Sequence, residues 1–363
     1  MIERIGKIKC LMLLITFTFV FITICYYSLA LKVETEIFRL NMEKWQSASG
    51  ITTLSEKIKC ETTESLPSEV YDSDILTKPG CSAFAITMTD RGPIVGNTGD
   101  DGVLKHRVFR IEKLNYKDSF RILRCMGAGI NEMGLAIGTS NAHYAGKTRV
   151  GDGDSNDLSI VTLRYCPDVP AAVNFIRDYK ITDDGCHFVM TDINETAAAV
   201  EKGPGNIFNV RWAKSHGSFD KVVWVTNVPQ DPAMRIRWDW AKHGKPSYIH
   251  NSDDRYENLK NIFTDPNLEY TFKSVENVLF NHNTIGAVCQ HGDIYPHQSY
   301  TTRTRMILPS EGRLLLAARV DPNQKEWRPC KIGWIAQDAI NIKKKKSERE
   351  IAIRKVVLPR LHP

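Results

Sequence analysis

Cys81 directly follows Gly80 and opens a strand-like run, Cys81–Thr89. A cysteine so placed is either a small buried hydrophobe or a nucleophile uncovered by cleavage of the Gly80–Cys81 bond. In the second case the thiol attacks the Gly80 carbonyl, the peptide becomes a thioester, and water releases it. Gly suits position 80 because it tolerates the strained backbone that such an attack requires. The product carries a thiol and a free α-amine on one residue. An α-amine has a reference pKa of ~7.7–8.0, so its unprotonated fraction serves as a general base near neutral pH. No distant histidine is then needed.

Four further residues fit that chemistry. Gly96-Asn97-Thr98-Gly99-Asp100 returns from the first turn and sets Asp100 beside Cys81, where a carboxylate orients the amine and the thiol. A turn and strand over Asn131–Gly138 deliver Asn141 at their end, and the strand Val222–Val225 leads into Thr226-Asn227-Val228-Pro229. Asn141 and Asn227 each offer a side-chain N–H to a developing oxyanion. Ser252-Asp253-Asp254-Arg255 begins a helix and presents Arg255, a fixed cation expected to order the site's carboxylate.

The elements that must hold these residues are hairpins and helices. Cys81–Thr89 and Pro93–Thr98 flank Asp90-Arg91-Gly92; Phe120–Met126 and Leu135–Thr139 flank Asn131–Gly134. Phe188–Thr191 and Ala197–Glu201 flank Asp192-Ile193-Asn194, and Arg303–Leu308 and Arg313–Ala318 flank Pro309–Gly312. The Gly, Asp and Asn positions supply the turn backbone. Leu158–Tyr165, Pro170–Tyr179, Asp253–Phe263 and Ser274–Asn281 read as helices. Hairpins alternating with helix pairs imply an α+β layered domain, antiparallel sheets covered by helices.

Taken together, these pieces resemble the cysteine N-terminal-nucleophile (Ntn) hydrolases: choloylglycine hydrolases, penicillin V acylases and the isopenicillin N acyltransferases of the peptidase C45 type. The matching segments are Gly80–Phe84, Gly96–Asp100, Gly134–Ile137 leading to Asn141, Thr226–Pro229, Ser252–Arg255 and the late hairpin Arg303–Ala318. The resemblance spans about residues 80–325. It implies an αββα four-layer sandwich and attack on linear, non-peptide amide bonds through a thioester acyl-enzyme. The implied roles are nucleophile for Cys81, supporting carboxylate for Asp100, oxyanion donors for Asn141 and Asn227, and a structural or electrostatic role for Arg255. The Gly80-Cys81 junction behind a long leader looks more like the self-cleaving acyltransferase branch. One departure matters: bile-salt hydrolases carry Arg three residues before the Asp, where this chain has Asn97. That argues against a bile-salt substrate and removes a cation near the thiol. Hydrolysis and acyl transfer stay open, as do two other readings: a catalytically silent, membrane-tethered binding domain, and a ceramidase-type lipid amidase.

Composition bounds the rest. The chain has 363 residues, 42% apolar and 25% charged, which excludes disordered, collagen-like and coiled-coil proteins. The net charge of +6 is confined to residues 341–363, so the remainder offers no basic field for nucleic acid. Cys10–Leu31 carries no charge across 22 residues and follows Arg4, Lys7 and Lys9. It reads as a signal anchor with the folded part outside the cytoplasm, or as a cleavable signal peptide ending at Ser28-Leu29-Ala30, giving a secreted protein. The expected organisation is residues 1–31 cytoplasmic stub and membrane or signal segment, 32–80 polar stalk or propeptide with a short helix near 34–46, 81–330 catalytic domain, and 331–363 basic tail. The other seven cysteines are Cys60, Cys81, Cys125, Cys166, Cys186, Cys289 and Cys330; an odd count leaves one unpaired and the spacing sets no disulfide framework.

Gly151–Asp157 alternates acids but fails the calcium-loop test, with Asp157 where Gly and Leu163 where Glu are required; a loop and helix cap fits better. Cys289-Gln290-His291 with His297 lacks the second pair that zinc wants. Asn194-Glu195-Thr196 is a glycosylation sequon on a turn. No cofactor or metal is expected, and the partner is a small-molecule amide bearing an acyl group.

Overall fold

The structure is a computed structural model, and it describes residues 80–101, 110–145, 151–205, 207–213, 221–239, 246–281, 285–290, 300–318, 334, 336–345, 347–350 and 352. The apolar run Cys10–Leu31, the stalk with its short helix, Cys60, Cys330, His291 and His297 lie outside the described residues. Among the described residues no helix is long and apolar enough to cross a membrane.

Two antiparallel sheets form the centre. The first is built from β1 (Cys81–Ile86), β2 (Ile94–Asp101), β10 (Val222–Val225), β11 (Tyr300–Leu308), β12 (Arg313–Ala318) and β13 (Ala336–Ala339), in the order β10-β1-β2-β11-β12-β13. The second runs β3-β4-β5-β6-β7-β8-β9 through β3 (Glu112–Leu114), β4 (Ile122–Cys125), β5 (Ala128–Asn131), β6 (Ala136–Asn141), β7 (Cys186–Thr191), β8 (Ala197–Lys202) and β9 (Phe208–Trp212).

Strand alternation explains the layering. Along β1, Ala83 and Ala85 join Val95, Ile307, Leu314 and Leu316 in one apolar cluster with Ile130, Ala136, Val189, Ala197 and Ala199 of the second sheet. The sheets therefore stack face to face, and small residues dominate the contact. The opposite face of the first sheet presents Phe84, Ile86, Ile94, Met306 and Leu308. These pack against Leu259 and Phe263 of a helix, α3 (Pro246–Phe263), and against Val275, Val278 and Leu279 of α4 (Phe272–Phe280). On the outer face of the second sheet lie α1 (Ser155–Tyr165) and α2 (Val169–Asp178), α2 burying Val169, Ala172, Val173 and Ile176. The central strands β1, β7 and β8 are buried along their whole length, so both of their faces must be apolar or hydrogen-bonded, whereas the edge strands β3, β9 and β13 are partly exposed. The α+β class and the four-layer order follow from the chain's own packing.

The helix starts are set locally. Asp154 accepts the Asp157 N–H and Asp168 accepts the Ala171 N–H, each satisfying an orphan donor at its helix N-terminus. Thr271 and Ser274 make a reciprocal capping box on α4.

Three sequence expectations change. The segment read as one hairpin, Phe120–Met126 with Leu135–Thr139, contains an added strand, β5. Met126 and Gly127 turn the chain between β4 and β5 with φ of 27° and 72°. Residues 336–339, assigned to the tail, form the edge strand β13, and Ile340 and Ile342 pack on the inter-sheet core. The tail is anchored further by the Lys343 N–H on the Glu132 carbonyl (2.9 Å) and by Arg349 on the Met133 carbonyl (2.5 Å). Finally, the five described cysteines, Cys81, Cys125, Cys166, Cys186 and Cys289, are all buried free thiols.

Candidate active site

Cys81 is the first residue of β1, buried at 6% exposure, with Gly80 buried before it. In the cross-strand register Cys81 faces Gly99 on β2, and Gly99 faces Arg303 on β11. The three form one row across adjacent strands. A Cβ at position 99 would stand 2.6 Å from both Cζ and Nε of Arg303. Only glycine lets that guanidinium lie over the strand that separates it from the cysteine.

The nitrogen end of Cys81 is held by Asn227. The Cys81 N–H donates to Asn227 Oδ1 at 2.7 Å, and Arg255 Nη2 donates to the same oxygen at 2.9 Å. Asn227 Nδ2 donates to the Asn141 carbonyl at 2.9 Å. Two donors on one end and an acceptor on the other fix the amide's orientation. The Cys81 carbonyl accepts from Arg255 Nη1 (2.5 Å) and from Ser140 Oγ (3.2 Å). Arg255 also donates to Ser82 Oγ (2.7 Å) and Asn251 Oδ1 (3.0 Å), and it is fully buried. Arg255 thus grips the nucleophile's backbone and Asn227; the expectation that it orders the carboxylate is not met by these contacts.

The carboxylate is ordered by another residue. Thr301 Oγ1 donates to Asp100 Oδ1 at 2.6 Å and accepts the Gln290 N–H at 2.7 Å. Gln290 Oε1 in turn accepts from Asn251 Nδ2 at 2.7 Å. A buried hydrogen-bond circuit therefore runs Cys81 N, Asn227, Arg255, Asn251, Gln290, Thr301, Asp100, and returns to the cysteine. Successive buried hydrogen bonds polarise one another and hold their members in one arrangement.

Burial pushes the Cys81 thiol above its usual range, and the Asp100 carboxylate adds to that. The Arg303 guanidinium, a hydrogen bond from the Asp100 backbone N–H and Arg305 pull it back. Arg305 is 2% exposed and donates to the carbonyls of Cys125 and Met126 at the β4–β5 turn. It stands opposite Asn97 in the register. Asn97 itself is spent on structure: its Nδ2 donates to the Ser82 carbonyl (3.0 Å) and across the sandwich to the Thr139 carbonyl (2.9 Å). Positive charge absent from position 97 arrives instead from the neighbouring strand.

All five predicted residues, Cys81, Asp100, Asn141, Asn227 and Arg255, fall within this one network. Asn141 enters it through its backbone carbonyl, and its side chain is half-buried at the end of β6. The sequence reading missed Ser140, Asn251, Gln290, Thr301, Arg303 and Arg305. One signal was present: Thr301-Thr302-Arg303-Thr304-Arg305 is a polar run leading straight into Met306-Ile307-Leu308, and polar residues on a strand covered on both sides need partners. Among the described residues no group of three or more His, Cys, Asp or Glu side chains is placed to hold a metal ion.

No family model matches the chain, and no curated protein matches it. Among solved structures it is similar to a mutant conjugated bile acid hydrolase from Clostridium perfringens. Identity is 12% and the TM-score 0.43, over 74% of this chain and 94% of that one. It is also similar to penicillin V acylase from Agrobacterium tumefaciens, with 13% identity and a TM-score of 0.40, over 67% of this chain and 84% of that one.

Proposed function

We propose that the protein is a self-processing amidohydrolase or acyltransferase of the Ntn type, which uses Cys81 to attack a linear non-peptide amide. The observation that carries this reading is the placement of both ends of Cys81. Its sulfur accepts from the Asp100 backbone N–H and lies within the fields of Asp100, Arg303 and Arg305, and its nitrogen sits on Asn227 Oδ1 at 2.7 Å. A merely structural cysteine needs no acceptor for its backbone nitrogen that is shared with a buried arginine.

The first step is self-cleavage. The thiol, kept protonated by burial, gives its proton to Asp100 as sulfur attacks the Gly80 carbonyl. The C–S bond forms, the C–N bond to Cys81 breaks, and that proton passes to the departing nitrogen. Water then hydrolyses the thioester, leaving a Gly80 carboxylate, the free thiol and an α-amine. Asn227 Oδ1 accepts a hydrogen bond from that amine. The Arg255 guanidinium on the same oxygen and on the Cys81 carbonyl disfavours the protonated amine, so more of it is free base near neutral pH.

In the amide reaction the α-amine takes the thiol proton, sulfur attacks the acyl carbon, and the amine protonates the leaving nitrogen. The second Nδ2 hydrogen of Asn227 and the Asn141 amide are the oxyanion donors in this reading. Water or a second amine resolves the thioester. The apolar run 10–31 behind Arg4, Lys7 and Lys9 supports an extracytoplasmic place for this chemistry.

Intact-mass analysis of purified protein tests the reading. A fragment beginning at Cys81, absent from Cys81→Ala, together with turnover of an acyl-amide panel by the cleaved form, is the expected result. A folded wild-type chain that stays whole and turns over no amide overturns it.

A further inference from the structure

We propose that His187 is a positioning residue for the nucleophile's nitrogen, acting through the Thr226 carbonyl on Asn227, with Tyr144 selecting its tautomer. The assignment rests on the functional reading above. His187 lies on β7 of the second sheet, directly opposite Glu201 on β8, and is fully buried. Its Nδ1 lies 2.7 Å from the Thr226 carbonyl, and its Nε2 lies 2.8 Å from Tyr144 Oη. A carbonyl only accepts, so Nδ1 carries the proton and Nε2 accepts from the tyrosine hydroxyl. Thr226 immediately precedes Asn227, at the point where β10 ends.

This contact crosses between the sheets. Thr226 and Asn227 leave the first sheet on a short non-strand segment, and the ladder of β10 and β1 ends at Val225, before the Thr226 carbonyl. Three side chains replace the ladder. Ser252 Oγ accepts the Val228 N–H at 2.9 Å and donates to Thr226 Oγ1 at 3.0 Å. Gln230 Nε2 donates to the Val228 carbonyl at 3.3 Å, and His187 holds the Thr226 carbonyl from the opposite sheet. The peptide plane that carries this carbonyl also carries the Asn227 N–H, so holding it restricts φ of Asn227, one of the torsions that aim its side chain at Cys81 N. Tyr144 keeps the arrangement single-valued: it is 1% exposed, and its ring meets Trp238 edge-on at 6.4 Å. With its hydroxyl on Nε2, the tautomer that would set a lone pair against the Thr226 carbonyl is disfavoured.

The self-cleavage rate at Gly80–Cys81 is the readout, because it requires no substrate. It is followed by mass in freshly refolded wild type, His187→Leu, His187→Asn and Tyr144→Phe, with a melting temperature for each. His187→Leu is expected to cleave about 10- to 100-fold more slowly, the range seen when a reacting group is misplaced by a fraction of its contact distance. His187→Asn sets an N–H where Nδ1–H stood, and is expected to recover to within about 3-fold of wild type; Tyr144→Phe falls between. Rates that follow melting temperature alone, with Asn no better than Leu, overturn the assignment, as does a Leu variant that cleaves at the wild-type rate. If His187→Leu does not refold, Asn against Phe decides: Tyr144→Phe at the wild-type rate overturns the role of the tautomer and the assignment with it. A wild-type chain that never cleaves overturns the functional reading itself, which no behaviour of the variants alone would do.

Discussion

Cys81 carries two opposing demands. It must be buried for its backbone to enter a hydrogen-bonded circuit, and burial makes its thiol harder to ionise. Arg303 offsets this only because position 99 lacks a side chain. Gly99→Ala is therefore expected to displace the guanidinium and raise the thiol further. Alkylation of Cys81 at pH 8, followed by peptide mass, should slow by about 3- to 10-fold, since each pKa unit is tenfold in thiolate. Arg303→Met should act in the same direction. Equal alkylation in all three proteins would remove Arg303 from the thiol's surroundings. None of this was legible in the sequence. Gly99 reads only as part of the segment that returns to Asp100, and Arg303 lies 204 residues beyond it.

At the scale of elements, one side chain ties a helix to a hairpin. Asn131 Nδ2 donates to the carbonyls of Leu163 and Cys166 at the end of α1, each at 2.8 Å. Its Oδ1 accepts the N–H groups of Met133 and Leu135 in the β5–β6 turn. Four backbone groups depend on one fully buried amide. Asn131→Leu strands them, at a cost of about 3 kcal/mol or more, and lowers Tm by roughly 6–10 °C for a domain of this size. Thermal unfolding of the variant measures this, and a shift under about 2 °C would contradict it. The sequence placed the turn correctly at Asn131–Gly134 from its Gly and Asn content. It could not place β5, because Ala128-Gly129-Ile130-Asn131 has no strand period of its own. Gly129 is there so that Leu163 of α1 can approach; a Cβ would stand 2.9 Å from Leu163 Cδ1.

For the whole molecule, the buried His187 makes stability depend on pH. Desolvation takes its pKa down to about 3 in the folded chain, against an ordinary value near 6.5. Between these values the unfolded state binds more protons, so this residue's contribution is complete above about pH 6.5 and is lost as pH falls toward 3. Asp157, raised to about 6 by burial and by Asp154, works the other way: its folded form holds its proton longer, which favours the fold as pH falls from 6 to 4. Urea midpoints at pH 7 and pH 5 separate the two. Wild type should lose more of its midpoint than His187→Asn over that interval. An equal loss would mean that His187 is not buried neutral.

What the sequence determined by itself is local chemistry: the Gly80–Cys81 junction, the turn residues between strands, the caps Asp154 and Asp168, and the alternation that makes β1 two-faced. Each is settled within a few residues, by backbone freedom or by a side chain bonding its own neighbourhood. The partners were decided only by the tertiary structure. Arg303 and Arg305 approach the sulfur because β11 pairs with β2, Thr301 reaches Asp100 through the same pairing, and His187 meets Thr226 because the two sheets stack. Those contacts join residues 39 to 224 positions apart. Buried polar groups must find partners wherever the fold brings them, and no local pattern in a chain records which ones those will be.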